Sequence, residues 1–140
     1  VASGEIAGRR GVLGQGLYGR ENIEAVYDAV LRRAHLGLCE GHTVILDGTW
    51  SDPDYRERAR RVAAEAAAIM VELACAAPLD DTLSRIRTRT GTTSQVTPEI
   101  AAALAGPEGQ AEWPAAHRID TTRDLAESVA EALELCRTAC

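Results

Sequence analysis

The sequence predicts an α/β protein in which a mainly parallel sheet lies between two layers of helices, a three-layer α/β/α arrangement. Short β-rich runs alternate with amphipathic helical segments, and such alternation favours parallel strands joined by right-handed crossovers. The run at 43–47 follows a helical segment directly and ends in Asp-Gly, as expected of a buried strand that carries a carboxylate to the sheet edge. Ligands of open α/β sheets bind at that edge.

Composition narrows the classes of function. The chain has 140 residues, enough for one domain, and its net charge of −6 gives no general electrostatic reason to bind nucleic acid or membrane surfaces. All 15 basic residues are arginine, which excludes Schiff-base chemistry and a P-loop lysine within these residues. No signal peptide or long apolar run is present, so we expect a cytoplasmic protein.

The first half of the chain predicts one loop, two helices and a strand. Residues 1–20 are rich in glycine and predict a loop, and apolar residues from Glu21 onward predict a helix that ends at Gly41. The strand at 43–47 comes next. A second helix is predicted to begin at Pro53, with Ser51 or Asp52 as its cap.

The second half predicts two further strands. The run at 69–75 predicts a strand, and the next segment predicts a helix capped by Asp80 or Asp81. A short helix is expected from Thr97 to about Ala105, and a last strand at 117–120. Residues 121–124 resemble a capping box. The final helix is predicted to turn four residues inward: Leu125, Val129, Leu133 and Cys136.

Asp47 is the first candidate for chemistry. A carboxylate at the end of a strand can hold the water shell of a metal ion or position a hydroxyl group beside a phosphate. Asp-Gly after a strand is also ordinary turn chemistry. The residue pattern alone leaves these two interpretations open.

Arginines supply the second candidate site. Arg85 and Arg89 lie four residues apart on one helix face, before a polar segment, and planar guanidinium groups there suit phosphate oxygens. Arg56 and Arg60 begin within two turns of the Asp47 edge. The alternative for both pairs is a solvated helix face.

These segments together resemble one family. The run Val-Ile-Leu-Asp-Gly-Thr-Trp, the two arginine-bearing helices, Thr-Pro-Glu-Ile and His-Arg-Ile-Asp-Thr-Thr resemble, in the same order, P-loop kinase-like proteins of the gluconate-kinase-like and polynucleotide-kinase-like type. The similarity is strongest to the C-terminal domain of actinobacterial proteins that carry an aminoglycoside-phosphotransferase-like domain upstream. It implies a P-loop NTPase fold, with residues 21–140 as the distal part and a lid near 85–97.

The resemblance also implies roles for individual residues and for cofactors. ATP and Mg²⁺ are the implied cofactors, with an unknown small molecule as phosphoryl acceptor. Asp47 would be catalytic and hold Mg²⁺ through water, and Arg85 and Arg89 would be catalytic lid residues. The remaining roles are acceptor binding by Thr49, Arg56 and Arg60, and nucleotide binding by Asp120, Thr121 and Thr122.

The chain departs from the family at its beginning. The first strand, the Walker A loop with its lysine, and the acidic second strand are missing, so we expect an N-terminally incomplete fold that is inactive alone. In the family the P-loop strand lies between the strands corresponding to 43–47 and 69–75. Three hypotheses stay open: the distal part of a phosphotransferase, a non-catalytic nucleotide- or partner-binding remnant, and an NTP hydrolase. An upstream phosphotransferase-like domain or a homo-oligomer would be the macromolecular partner.

Overall fold

A computed structural model describes residues 20–90, 96–105 and 112–139. The predicted loop at 1–20 lies outside these residues, except for Arg20, and so do residues 91–95 of the predicted lid. The order of elements is α/β: α1 (Arg20–Cys39), α2 (Pro53–Glu65), β1 (Leu73–Ala76), α3 (Leu79–Thr88), α4 (Pro98–Ala105), β2 (His117–Asp120) and α5 (Leu125–Ala139).

The sheet of the described residues consists of β1 and β2, which pair in parallel. Leu73 lies opposite His117, and the register continues to the pair Ala76 and Asp120. Ile119 points into the core and is 3% exposed. The parallel pairing confirms the predicted α/β class, although the strand predicted at 69–75 is shorter and begins at Leu73.

The prediction of a strand at 43–47 is wrong for the described structure. This segment forms no strand, because no described strand lies beside it to pair with its backbone. Its side chains still alternate as in a strand: Val44 and Leu46 are half-buried, whereas Ile45 is 88% exposed. Asp47 is consequently exposed at the end of a single unpaired segment.

Helices α1 and α2 pack together and build the main core. The buried cluster consists of Leu31, Trp50 and Ala59. Half-buried side chains complete it: Tyr27, Leu46, Tyr55, Val62 and Trp113. Trp113 joins this core from the segment that precedes β2.

The ends of α1 and α2 follow their local sequence. α1 ends at Cys39, and the predicted terminator Gly41 follows it with a φ of +82° that suits glycine. The N–H of Gly41 donates to the carbonyl of Leu38, and that of His42 donates to the carbonyl of Gly37. Asp52, rather than Ser51, caps α2 by accepting a hydrogen bond from the N–H of Asp54 at 2.9 Å. Pro53 occupies the first turn, as predicted.

Two predicted helix starts are wrong. Pro78 occupies the N-cap of α3 without a side-chain bond, and Asp80 and Asp81 lie inside the first turn, where the helix dipole favours acidic groups. At α5, Asp124 accepts from the N–H of Ala126 at 2.8 Å and acts as the cap. The capping box predicted to begin at Thr121 does not form, because the Thr121 hydroxyl donates to the carbonyl of Ala76 instead.

The apolar stripe of α5 was predicted to turn inward and instead lies outward. Leu125 is 77% exposed, Val129 46% and Leu133 49%. The buried residue of the helix is Ser128, whose hydroxyl donates to the carbonyl of Asp120 and ties α5 to β2. The two described strands are too narrow a surface to cover the stripe as well. None of the described helices is both long and apolar enough to span a bilayer.

Candidate functional site

A concave site lies where α3 meets the carboxyl ends of β1 and β2. It has a volume of about 350 Å³, at the lower end of the range for small-molecule sites. Its lining is Cys75, Ala77, Thr82, Arg85, Ile86, Arg89 and Thr121. Two guanidinium groups and two hydroxyl groups therefore border one cavity at the ligand-binding edge of a parallel sheet.

Arg85 is held at this cavity by the end of β2. Its Nη2 donates to the carbonyl of Thr121 at 2.6 Å, and its Nη1 donates to the hydroxyl of the same residue at 3.2 Å. The side chain remains exposed and forms no ion pair with a carboxylate among the described residues. The guanidinium charge is therefore positioned but not neutralised, as a phosphate-binding group requires.

Arg89 lines the same cavity one helical turn later. It donates to the carbonyl of Val96, across the segment that lies outside the described residues. The four-residue spacing thus places both predicted lid arginines at one cavity, as that spacing predicts. Neither of them shares a hydrogen bond or ion pair with Asp47.

The predicted nucleotide-binding residues after β2 divide into two groups. Thr121 lines the cavity and contacts Arg85. Asp120 and Thr122 form a local turn instead: the Asp120 carboxylate accepts from the N–H of Thr122 at 2.9 Å and from its hydroxyl at 2.7 Å. The hydroxyl bond and then the backbone bond lower the pKa of Asp120 and keep it ionised.

The predicted acceptor side is a turn at 47–50. Asp47 is exposed, and the hydroxyl of Thr49 lies 3.5 Å from that of Tyr27. Gly48 lies close to the ring of Trp50, since a Cβ added to it would lie 3.3 Å from the indole nitrogen. The turn is therefore folded over a buried tryptophan while its polar groups face outward.

Arg56 is buried, which differs from the exposed position expected of an acceptor-binding residue. It is 4% exposed, its guanidinium lies 4.9 Å from the centre of the Trp113 ring, and Nη2 donates to the carbonyl of Glu112 at 3.2 Å. A buried guanidinium with a cation–π contact and a carbonyl partner stabilises the fold.

Arg60 is bound by a carboxylate. Its Nε and Nη2 donate to the two oxygens of Glu72 at 2.7 and 2.8 Å. Glu72 also accepts from the indole of Trp113, and these bonds, that of Arg60 foremost, lower the pKa of Glu72 despite its burial. The predicted acceptor-binding role of Arg60 would require this pair to open.

Metal binding has little support of its own among the described residues. These residues contain no group of three or more His, Cys, Asp or Glu side chains that could hold an ion. Asp47 as a single exposed carboxylate fits only the mode in which Mg²⁺ keeps most of its water and is bound chiefly by nucleotide phosphates. The arginines and hydroxyls of the α3 cavity, in contrast, fit an anionic ligand directly.

A second hollow of about 630 Å³ lies between α1 and α2. It contains none of the predicted site residues. Asp28 and Arg58 in this hollow bond to each other, which raises the pKa of Arg58 and leaves that pair satisfied. The hollow also contains Arg32, Arg61 and Glu65, but its lining comes from α1 and α2 alone and includes no residue of the sheet edge.

Sequence reasoning missed two residues of these sites. Thr82 lines the α3 cavity and lies three residues before Arg85, so the helical period could have found it. Tyr27 contacts the turn at 47–50 from a helix more than twenty residues upstream. No spacing in the sequence indicates that contact.

Comparison with known families gives a match over most of the chain. A family model described as an AAA domain matches residues 5–106. This family is P-loop NTPase-like and kinase-like, which implies nucleotide binding, typically with Mg²⁺.

Mycobacterial relatives extend the match to nearly the whole chain. Uncharacterized proteins of Mycobacterium bovis and Mycobacterium tuberculosis are 49% identical to it over 136 residues, or 97% of the chain. The chain spans 27% of the length of these relatives. No solved structure matches.

Proposed function

Because this chain belongs to the AAA-domain family of P-loop NTPase-like proteins, we propose that it is the distal portion of an ATP-dependent phosphotransferase for a small-molecule acceptor. The α3 cavity carries this proposal. Arg85 and Arg89 reach it from one helix, and Thr121 contributes the end of a parallel strand. Their charge and planar geometry suit the phosphate oxygens of a nucleotide and the charge that develops during phosphoryl transfer.

The roles follow from this arrangement. Arg85 and Arg89 bind the transferred phosphoryl group and its neighbours, exchanging main-chain carbonyls for phosphate oxygens. Thr121 borders the nucleotide, and Asp47 positions the water shell of Mg²⁺ or the acceptor hydroxyl. When bound, the Mg²⁺ of ATP supplies neutralisation of phosphate charge.

These 140 residues contain no lysine, so the lysine of a P-loop would have to come from another segment. We propose that an upstream strand and its P-loop insert between the segment 43–47 and β1. This insertion would complete the sheet of a three-layer α/β/α fold. Two observations support this. Val44 and Ile45 alternate between a half-buried and an exposed position without a paired strand, and the mycobacterial relatives are several times longer than this chain.

A second candidate is a non-catalytic module that binds a nucleotide or a partner protein. It is favoured by the exposure of Asp47, which the described structure leaves without any bond to the two lid arginines. In this case the α3 cavity would bind a nucleotide with no acceptor-dependent turnover.

Calorimetry with Mg·ATP tests the proposal on two polypeptides, this chain and one extended upstream by about thirty residues or more, the length of one P-loop unit. Binding by the extended polypeptide alone is the expected result. If neither binds, the phosphotransferase proposal is wrong and the partner-binding module is favoured.

Turnover then separates the two candidates. In the extended polypeptide Asp47→Ala should abolish acceptor-dependent ATP turnover with little change in stability, because Asp47 is exposed. Asp54→Ala, which removes another exposed carboxylate near the same turn, serves as the control and should retain turnover. Unchanged turnover in Asp47→Ala would reject its proposed role.

A further inference from the structure

The turn that carries Asp47 and Thr49 ends in a strained residue. Trp50 has a φ of +46°, a left-handed conformation that bulky residues rarely adopt. Its side chain is nonetheless buried in the core, at 7% exposure. Such a conformation persists only where neighbouring groups hold it, so the contacts of Trp50 identify what fixes the turn.

Tyr27 of α1 makes those contacts. Its hydroxyl accepts a hydrogen bond from the N–H of Trp50 at 3.3 Å and lies 3.5 Å from the hydroxyl of Thr49. Its ring meets the Trp50 ring edge-on at 4.8 Å and stacks on Tyr55 at 4.1 Å. One side chain therefore contacts two consecutive residues of the turn and the helix that follows it.

We propose that Tyr27 is a positioning residue that holds the turn 47–50 in place and thereby determines where Asp47 and Thr49 are presented. The catalytic meaning of this inference rests on the proposed function. Tyr27 acts through the turn and is not itself assigned a contact with substrate.

The hydroxyl and the ring have separable tasks. Phenylalanine at position 27 would preserve the stacking on Tyr55 and the edge contact with Trp50, so packing alone does not require tyrosine. The hydroxyl is needed for the bonds to residues 49 and 50. Tyr27→Phe is therefore a specific test of positioning.

The experiment uses the chain labelled with 5-fluorotryptophan and observed by ¹⁹F NMR. The sequence contains 2 tryptophans, so the spectrum has one reporter in the turn, Trp50, and one that packs against the same core from the segment before β2, Trp113. A Trp113→Phe sample assigns the two resonances. In Tyr27→Phe the Trp50 resonance should shift or broaden as the turn samples additional conformations, whereas the Trp113 resonance should change less.

A Trp50 resonance that is unchanged in Tyr27→Phe overturns the proposal. If Tyr27→Phe fails to fold by circular dichroism, Thr49→Val provides the second variant, since it removes the other hydroxyl of the pair. A broadened Trp50 resonance in Thr49→Val, beyond the shift that a neighbouring substitution causes, supports the proposal, and a sharp resonance overturns it.

Titration of the upstream-extended polypeptide with Mg·ATP separates this inference from the proposed function. If the extended parent binds, Tyr27→Phe in the same polypeptide should weaken the affinity by about threefold to tenfold, the range expected for one hydrogen bond. Unchanged affinity would overturn the positioning role. If the extended parent does not bind, the proposed function fails, and the ¹⁹F spectra alone decide whether Tyr27 holds the turn.

Discussion

Helices α2 and α3 each carry two arginines four residues apart, and the two pairs have different partners. On α2, Arg56 lies under the Trp113 ring and is 4% exposed, while Arg60 is bound by both oxygens of Glu72. These contacts connect α2, the segment before β1 and the residues before β2. The α2 pair is therefore part of the structural framework.

On α3, Arg85 and Arg89 donate to main-chain carbonyls of Thr121 and Val96 and line a cavity. A carbonyl partner holds a guanidinium in place without cancelling its charge, which a carboxylate would do. Spacing alone thus places arginines on one helix face, whereas the partner determines whether they stabilise the fold or remain available for a ligand.

The largest effect on stability is expected at Glu72, the acceptor shared by Arg60 and Trp113. Glu72→Ala should lower the free energy of unfolding by about 2–3 kcal/mol. The Glu72 side chain is only 9% exposed, and its removal leaves both the Arg60 guanidinium and the Trp113 indole without this acceptor. Urea denaturation measures this free energy. Glu57→Ala, which also removes a partner of Arg60 but at 59% exposure, should change it by less than about 0.5 kcal/mol.

A similar loss of stability in Glu72→Ala and Glu57→Ala would contradict the claim that Glu72 is the main partner through which the α2 arginines stabilise the fold.

Substitution by lysine tests the two arginine pairs directly. Arg56→Lys should cost about 1–2 kcal/mol of stability, since an ammonium group cannot reproduce both the planar contact with Trp113 and the bond to the carbonyl of Glu112. The exposed Arg85→Lys should stay within about 0.5 kcal/mol of the parent. Equal losses in thermal or urea unfolding would contradict the different roles assigned to α2 and α3.

The loss of stability at acidic pH tests the same interaction between Glu72 and Arg60. The pKa of Glu72 lies below its ordinary value of 4.5, chiefly because Arg60 donates to the carboxylate. Its stabilisation is therefore complete above pH 4.5 and is lost as the pH falls through the lowered pKa. Glu72→Gln should be less stable than the parent at neutral pH and should lose less stability on acidification; parallel curves would contradict this.

The smallest effect is expected at the end of α2, where Ala67 has a φ of +52°. Its N–H donates to Ala64 and that of Ala68 to Ala63, a helix ending that normally contains glycine. Ala67→Gly should raise stability by about 0.5–1 kcal/mol by relieving this strain. Ala64→Gly, within the helix, should lower it by a similar amount, and a loss in both variants would show that no strain is relieved.

The sequence predicted the elements more successfully than their partners. Gly41, and the cap of α2 at Ser51 or Asp52, were identifiable because capping depends largely on neighbouring residues. The caps predicted for α3 and α5 were nevertheless wrong. The pairing of Arg60 with Glu72 joins residues on different elements, and no period in the sequence indicates it. The spacing of Arg85 and Arg89 predicted that they share one helix face, but the cavity beside them was not predicted. The burial of Arg56 depends on Trp113, which is distant in the chain.

The failed strand at 43–47 has a different cause. Its residues have the composition and alternation of a strand, with Val44 half-buried and Ile45 88% exposed. A strand also requires a neighbour, which local sequence cannot supply. The same reason explains the outward stripe of α5, where Leu125 is 77% exposed.

The most direct test of the central claim compares two arginines of α3 for Mg·ATP binding in the upstream-extended polypeptide. Arg85 lines the cavity, whereas Arg87 is an exposed residue of the same helix that does not. Calorimetry should show that Arg85→Gln weakens binding by about tenfold or more and that Arg87→Gln weakens it by less than about threefold. Equal affinities for the two variants would contradict the assignment of the α3 cavity as the phosphate-binding site.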